Sequence, residues 1–298
     1  MATQNVIAVI FDCDDTLCPD TITFLLQSYD IDPKLFWREV AEEVSAGWDP
    51  PLAYMHKVID LVGSGSMPDL TNEKLMQIGN QIRFFSGIPS VFKDLAEFVK
   101  RKREFVDAQV SLEFYIVTGG FEEMIKGSII APYMKDIFGC TFWEDPRTHL
   151  IARPRITVTF TEKTKFVYAI NKGITGDELR SNPYLVNDSI EERERRIPFH
   201  NMIYVGDGPS DIPCFSLIQS QGGTGGERTG HVIGVYKRGA VEKAYELARG
   251  DRITAGPFSA KYIRGSDLRK YLEQNILDIA HGIVTNRRRT FRHGVNHS

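Results

Sequence analysis

The chain lacks the features that mark several common classes of protein. It contains no apolar run near the roughly 18–20 residues that a membrane-spanning helix requires, so we predict no membrane association. Residues 1–5 carry no basic residue ahead of the first apolar run, so no signal peptide is expected. The four cysteines form no CxxC pair, and their scatter is typical of free thiols in a reducing compartment. These absences together predict a cytoplasmic protein.

An excess of charge of one sign is also missing. The 36 Lys and Arg residues are balanced by 39 Asp and Glu residues, which leaves a net charge of -3. A basic field of the kind that attracts nucleic acid is therefore absent, and no nucleic-acid partner is expected. Of the 298 residues, 42% are hydrophobic, which is ordinary for globular proteins and suits one large domain or two smaller ones. Oligomeric state cannot be predicted from these values.

The most informative segment covers residues 6–17. An apolar run with strand character ends in three aspartates within four residues: Asp12, Asp14 and Asp15. A continuous apolar run predicts a strand buried on both faces, as in a parallel sheet, and ligands of such sheets bind beyond the carboxyl ends of the strands. Clustered carboxylates repel one another unless a cation or a shared proton is present, and oxygen ligands of this kind suit Mg²⁺. A polar turn is the alternative interpretation of this segment taken alone.

The rest of the chain alternates strands and helices. Residues 19–85 show helical spacing broken by Gly and Pro, which predicts an inserted helical unit. Apolar runs predict further buried strands at 114–117, 140–143, 202–205 and 232–236, and Lys163 opens a predicted helix. This alternation predicts an α/β fold with a parallel sheet covered by helices on both faces. A capping-box pattern at 189–192 predicts a short helix, and a final helix is predicted over 267–283.

Two further segments receive simpler interpretations. The glycine-rich segment 221–230 lacks the Gly-Lys-Ser/Thr ending of a phosphate-binding loop, so a surface loop is favoured. The tail 285–298 is rich in arginine, and we expect a disordered, solvated end.

Polar residues follow three of the predicted strands. The first strand is followed by Asp12 and Asp14, and a later one by Asp207 and Asp211. Between them lie Thr118, at the end of the second strand, and Lys163. A carboxylate can attack phosphorus, and lysine, hydroxyl and backbone N–H groups can hold phosphoryl oxygens, so this set favours phosphoryl transfer.

The same segments resemble four ordered motifs of the haloacid dehalogenase-like superfamily. Residues 12–17, Asp-Cys-Asp-Asp-Thr-Leu, are similar to its Asp-x-Asp-x-Thr motif, and the strand ending at Thr118-Gly119 is similar to its second motif. Lys163 stands for the third, and residues 206–211, Gly-Asp-Gly-Pro-Ser-Asp, for the fourth. The resemblance covers residues 6–215. It implies a Rossmann-like core formed by residues 1–18 and 86–284, with residues 19–85 as a small α-helical cap of the C1 type.

The resemblance also implies a role for each residue. Asp12 would be the nucleophile and a metal ligand, and Asp14 the general acid and base, with its backbone carbonyl also touching the metal. Asp207 would bind Mg²⁺. Asp211 would support the metal directly, through water, or by pairing with the motif lysine. The phosphate would be held by Thr118, Gly119 and Lys163.

The assignment of Lys163 as the phosphate-binding lysine has an alternative, because Lys165 also lies at the start of the same predicted helix. Lys163 is favoured because Phe166, Val167 and Ile170 follow it at three, four and seven residues, which places it beside the buried stripe. In the cap, the aromatic and imidazole side chains are expected mainly to pack its core, while some of them line a substrate cleft. These are Trp37, Trp48, Tyr54 and His56.

The resulting prediction is a Mg²⁺-dependent phosphatase that hydrolyses a small phosphorylated metabolite through an aspartyl-phosphate. Asp14 argues against a dehalogenase, which resembles this chain but lacks that acid. Alternatives that remain open are a phosphomutase or another phosphotransferase of the superfamily, and a non-catalytic module that binds a phosphorylated ligand or a partner.

Overall fold

The structure is a computed structural model that describes residues 3–222, 230–250 and 252–295. In these residues seven strands form one sheet in the order β4-β3-β2-β1-β5-β6-β7. The strands are β1 (Val6–Phe11), β2 (Ser111–Phe121), β3 (Met134–Glu144), β4 (Ile151–Ile156), β5 (Met202–Gly206), β6 (His231–Tyr236) and β7 (Ala255–Ser259).

Twelve α-helices connect and flank these strands within the same ranges. They are α1 (Thr21–Gln27), α2 (Pro33–Ser45), α3 (Pro50–Gly63), α4 (Asn72–Gly79), α5 (Ser90–Lys100), α6 (Arg103–Asp107), α7 (Glu122–Lys126), α8 (Glu162–Lys172), α9 (Gly176–Ser181), α10 (Ile212–Gln221), α11 (Val241–Arg249) and α12 (Asp267–Val295). None of the helices in the described part of the chain is both long and apolar enough to span a membrane.

The centre of the sheet is parallel and buried. Strand β1 pairs in parallel with β2 on one side and β5 on the other, and every residue of β1 is buried. Helices α5 and α12 pack on one another, as do α8 and α10, and both pairs also contact the sheet. A parallel sheet covered on both faces needs apolar side chains on both faces of each strand, which is why β1 reads as a continuous apolar run. The predicted α/β, Rossmann-like fold is confirmed.

Of the six helices between β1 and β2, α1 to α4 lie within residues 19–85, where the inserted helical unit was predicted. Each begins at a side chain that accepts hydrogen bonds from the first turn: Asp20, Asp32, Asp49 and Thr71. These capping groups satisfy backbone N–H groups that have no partner within the helix. From α3, the Tyr54 hydroxyl donates a 2.6 Å hydrogen bond to the Gly119 carbonyl oxygen at the end of β2. The inserted helices therefore reach the carboxyl edge of the sheet.

The structure differs from the sequence prediction in several connecting segments. Strand β4 pairs antiparallel with β3 at the edge of the sheet, and β7 extends the other edge in a region where no strand was predicted.

The predicted helix at 189–192 is only a 3₁₀ turn at Glu192–Glu194, and a capping box forms instead between Thr175 and Glu178 at the start of α9. Both patterns have the right spacing, so packing rather than local sequence decides which one is used. The glycine-rich segment lies largely outside the described residues.

The prediction of a disordered tail over 285–298 is wrong for residues 285–295, which are helical, while residues 296–298 lie outside the described residues. Helix α12 continues to Val295, well beyond the predicted end at 283. The Arg287 guanidinium donates a 2.5 Å hydrogen bond to the Ala108 carbonyl oxygen, and Ile283 and Val284 are buried. The Arg287 bond, which follows the buried pair Ile283 and Val284, therefore anchors the start of a segment that its charge alone would favour as solvated.

Candidate active site

Three carboxylates meet at the carboxyl edge of the sheet. Asp12 directly follows β1, Asp207 directly follows β5, and Asp211 lies one turn later, ahead of α10. The Asp12 backbone N–H donates to the Val205 carbonyl oxygen at 2.9 Å, so the sheet ladder holds Asp12 at this edge. Carboxylate oxygens of the three residues lie within 4.8 Å of one another. Asp12 and Asp211 are buried, while Asp207 is partly exposed.

Lys163 lies between two of these carboxylates. Its Nζ donates 2.8 Å hydrogen bonds to Asp12 Oδ1 and to Asp211 Oδ1, and its side chain is only 2% exposed. Burial disfavours the charged form of this lysine, but the carboxylates of Asp12 and Asp211 raise its pKa above the ordinary value. Lys163 is therefore a buried cation at the site. Lys165 instead pairs with Glu162 and lies away from the carboxylates.

Asp211 is held by groups that fix its orientation. Besides Lys163, the Tyr204 hydroxyl donates to Asp211 Oδ1 at 3.0 Å, and the Gly208 backbone N–H donates to Oδ2 at 3.4 Å. Tyr204 is a buried residue of β5 that the sequence prediction did not single out, because a tyrosine in an apolar strand gives no separate signal. Of the possibilities left open for Asp211, pairing with Lys163 is the one observed.

Asp14 faces the same space from the loop after β1. Its Oδ1 accepts a 2.7 Å hydrogen bond from the Thr21 backbone N–H at the start of α1. Burial, followed by the nearby charges of Asp20 and Asp12, raises the pKa of Asp14 to about 8. A carboxyl group that keeps its proton at neutral pH can serve as a general acid.

The end of β2 lies against Asp14 because residue 120 is a glycine. A Cβ atom at Gly120 would lie 2.8 Å from Asp14 Oδ2, which is closer than carbon and oxygen atoms approach. The Gly120 backbone N–H donates to Thr118 Oγ1 at 3.0 Å. The threonine oxygen therefore acts as an acceptor there, and its own hydroxyl hydrogen remains available to a ligand. The neighbouring Gly119 lines the same cavity.

Without a bound cation, the carboxylates resist ionisation. Burial raises the pKa of Asp207 to about 9, with the charges of Asp12 and Asp211 adding to the effect. Burial also raises the pKa of Asp12 to about 6, although Lys163 opposes that shift. One lysine thus does not neutralise the cluster, and a cation would lower the cost of ionising it. The oxygen ligands and the deficit of positive charge fit Mg²⁺.

A cavity of about 300 Å³ connects these groups to helices α1 to α3. All the predicted catalytic and phosphate-binding residues line it, while Asp211 lies just behind Lys163. Trp37 and Tyr54 also line the cavity. Trp48 and His56, by contrast, pack against each other with ring centroids 5.3 Å apart and are not among the lining residues.

Several lining residues were not predicted from the sequence. Asp20 lines the cavity and also caps α1, and Lys237, after β6, forms a 2.6 Å ion pair with Asp15. Ser210 lies 3.5 Å from the Lys163 amine within the fourth motif. A signal exists for Asp20, since an aspartate ahead of an apolar run marks a helix start. No local pattern connects Lys237 with Asp15, which are 222 residues apart.

Comparison with known proteins gives one relative in sequence and a shared fold. No family model matches the chain. An uncharacterised protein from Borreliella burgdorferi is 30% identical over 238 residues, covering 73% of this chain and 80% of that protein.

A phosphoserine phosphatase, solved as an analogue of its phospho-aspartyl intermediate, aligns with a TM-score of 0.50 and 14% identity, over 91% of this chain and 99% of that one. A haloacid dehalogenase family hydrolase from Salmonella enterica serovar Typhi aligns with a TM-score of 0.49 and 12% identity, and this chain spans 64% of its length.

Proposed function

We propose that this chain, which belongs to one family with the Borreliella burgdorferi protein and has the haloacid dehalogenase-like fold, is a Mg²⁺-dependent phosphatase of small phosphate monoesters. The family follows from the sequence identity and the fold from the sheet order and its alignment with a solved phosphatase. In this proposal residues 19–85 form the C1-type cap, and residues 1–18 with 86–284 form the core.

One observation carries the proposal: burial raises the pKa of both Asp12 and Asp14, but only to about 6 for Asp12 and to about 8 for Asp14, although they are two residues apart. Asp12 accepts a 2.8 Å hydrogen bond from Lys163, which favours its ionised form, whereas Asp14 has no cationic partner in the described residues and its pKa is raised to about 8. Two carboxyl groups with separated pKa values provide a nucleophile and an acid.

Asp12 and Asp14 have separate roles in the two steps of the proposed reaction. An Asp12 oxygen attacks phosphorus while the bond from phosphorus to the leaving oxygen breaks, and Asp14 donates its proton to that oxygen. The product alcohol leaves, and the phosphoryl group is attached to Asp12. Asp14, now ionised, removes a proton from water, which attacks phosphorus and releases inorganic phosphate. Asp12 is regenerated in its starting form.

The phosphoryl oxygens need donors on the protein. Lys163 Nζ supplies positive charge beside Asp12, and the Thr118 hydroxyl and the backbone around Gly119 supply neutral donors. Such fixed donors stabilise the charge of the transition state without reorganising. The inserted helices line one side of the cavity, whose volume of about 300 Å³ favours a small substrate.

Asp12, Asp207 and the backbone carbonyl of Asp14 would hold Mg²⁺, with Asp211 in support. The ion, when bound, offsets the repulsion between the carboxylate nucleophile and the phosphate. The raised pKa values of Asp12 and Asp207 support this assignment, because they reflect carboxylates that lack enough positive charge. The four cysteines are buried free thiols, which supports the proposal of a cytoplasmic enzyme.

The proposal is tested by phosphate release from p-nitrophenyl phosphate and a panel of phosphorylated metabolites, with Mg²⁺ or with EDTA. We expect release that requires Mg²⁺ and falls by at least about a thousandfold in Asp12→Asn. Asp32→Asn, at an exposed helix cap, is the control for the same chemical change. If the folded wild-type protein binds phosphate but releases none from any ester, the binding-module alternative replaces this proposal.

A further inference from the structure

The cavity has a wall beside Asp14 that would adjoin the leaving group of a phosphate ester in the proposed function, because Asp14 is the group that protonates the leaving oxygen. This cap wall comes from the start of the inserted helices and consists of Asp20, Ile22, Trp37, Pro50, Pro51 and Tyr54. Because Asp12 and Asp14 hold the reacting phosphate in the proposed function, the chemistry of the cap wall selects the alcohol. The inference below therefore rests on that function.

The two aromatic residues of the cap wall present rings rather than polar groups. The Tyr54 hydroxyl donates to the Gly119 carbonyl oxygen at 2.6 Å, and Trp37 Nε1 donates to Thr23 Oγ1 at 2.9 Å. The rings contact each other edge to face, with centroids 5.9 Å apart at 74°. Their polar atoms are thus used within the protein, and what the two residues offer to a ligand in the cavity is aromatic ring surface, which attracts positive charge.

Asp20 adds a carboxylate next to this aromatic pair. Its Oδ2 accepts a 2.7 Å hydrogen bond from the Thr23 hydroxyl, which is also the acceptor for Trp37 Nε1, so two hydrogen bonds join Asp20 to the indole. Its Oδ1 accepts from the backbone of α1. Within the described residues Asp20 has no ion pair with a lysine or arginine. The cap wall therefore has one acid and no cation of its own.

The charges elsewhere in the cavity also favour a positively charged leaving group. Its lining contains two lysines in the described part of the chain, and both are in ion pairs: Lys163 with Asp12 and Asp211, and Lys237 with Asp15 at 2.6 Å. A leaving group that carries a carboxylate would meet Asp20 without a free cation to bind it. A sugar would find few free hydrogen-bonding groups on the cap wall. A positive charge, in contrast, is attracted by both the carboxylate and the ring faces.

We infer that this cavity selects phosphate monoesters of small cationic alcohols, with the ammonium or quaternary ammonium group against the rings of Trp37 and Tyr54 and beside Asp20. In this role Asp20 and Trp37 determine specificity and take no part in bond breaking. Recognition of quaternary ammonium groups by aromatic faces is well suited to such a site, since those groups donate no N–H hydrogen bonds and are weakly hydrated.

The test compares two esters that differ in charge and hardly in shape. Phosphocholine carries a quaternary nitrogen where 3,3-dimethylbutyl phosphate carries a carbon atom. We expect the wild-type enzyme with Mg²⁺ to show a kcat/KM at least about tenfold higher for phosphocholine. 2-Phosphoglycolate, whose leaving group carries a carboxylate and no ammonium group, is expected to be a poorer substrate than either.

Substitutions then locate the source of the preference. Asp20→Asn removes the charge and retains an N-cap residue for α1, so the fold is kept. We expect it to lower the ratio of the two kcat/KM values by about tenfold, mainly through KM for phosphocholine. Trp37→Leu is expected to lower the same ratio. Asp32→Asn, the same change at the exposed N-cap of α2, is expected to leave the ratio at the wild-type value.

The outcomes separate the two proposals. If neither ester nor p-nitrophenyl phosphate is hydrolysed, the proposed phosphatase function fails first. If the neutral ester is hydrolysed at least as well as phosphocholine, or if 2-phosphoglycolate is preferred, the phosphatase function stands and the inference about a cationic alcohol is overturned. An unchanged ratio in both Asp20→Asn and Trp37→Leu would also overturn it.

Discussion

Asp207 is expected to destabilise the metal-free protein, and Asp207→Asn should therefore make that protein more stable. Burial and the neighbouring aspartates raise the pKa of this carboxyl group from an ordinary value of 3.8 to about 9. The folded state then binds a proton at neutral pH that the unfolded chain has released. Asparagine has a similar shape and is neutral in both states, so it removes this difference.

The direction in which stability changes with pH follows from proton binding at Asp207. Between pH 3.8 and about 9 the folded protein holds more protons at Asp207 than the unfolded chain does, so the stability of the metal-free protein falls as pH rises through that window. At about 1.4 kcal/mol per pH unit, the interval from 3.8 to pH 7 amounts to about 4 kcal/mol. Water reaches the partly exposed carboxyl group and screens part of this cost, so we expect a gain of about 2 kcal/mol in Asp207→Asn.

The assay is unfolding by urea or heat in EDTA at pH 4.5 and pH 7.5. We expect the variant to exceed the wild type by about 2 kcal/mol at pH 7.5, equivalent to a rise in Tm of about 4 °C, and by little at pH 4.5. Mg²⁺ should stabilise the wild type and have a smaller effect on the variant. Asp107→Asn, at an exposed aspartate 3.8 Å from Arg103, is the control and should change stability by less than about 0.5 kcal/mol. A variant no more stable than the wild type at pH 7.5 would refute the reasoning.

Three further predictions follow from contacts in the structure. Gly120→Ala should lower kcat by at least about tenfold, because its methyl group would lie 2.8 Å from Asp14 Oδ2 and displace the acid, as steady-state kinetics would show. Lys163→Met should lower the free energy of unfolding in EDTA by about 3 kcal/mol at pH 7.5 and by less at pH 5, because it leaves two buried carboxylates without a cation. Arg287→Ala should cost about 1 kcal/mol in urea unfolding, because it removes the bond to the Ala108 carbonyl oxygen that helps hold the last turns of α12.

Each of these has a matched control. Gly63→Ala adds a methyl group that meets nothing within 4 Å and should leave kcat within about twofold of wild type. Lys165→Met removes a surface ion pair with Glu162 and should cost less than about 1 kcal/mol. Arg193→Ala, which removes an exposed ion pair with Glu191, is the control for Arg287. A test variant that behaves like its control would contradict the contact on which that prediction rests.

The sequence by itself determined the central sheet and most of the candidate site. A strand buried on both faces must be apolar throughout, so β1 and β5 are visible as runs, and the polar residues that end them mark the edge where ligands bind. The choice of Lys163 over Lys165 also followed from local spacing, because the apolar stripe of α8 begins three residues after residue 163, although only the structure shows that Lys163 itself is buried. These features depend on neighbours along the chain.

Only the tertiary structure decided which distant groups face one another. Lys237 pairs with Asp15, Tyr204 supports Asp211, and Asp20 lies beside the aromatic pair of the cap wall through contacts that no spacing encodes. The same holds for the end of the chain. The arginine-rich segment after residue 284 has the composition of a solvated tail, yet it continues helix α12, whose preceding residues Ile283 and Val284 are buried, and Arg287 bonds to the Ala108 carbonyl oxygen far away in sequence. Local composition predicts the tendency of a segment, and long-range burial decides whether that tendency prevails.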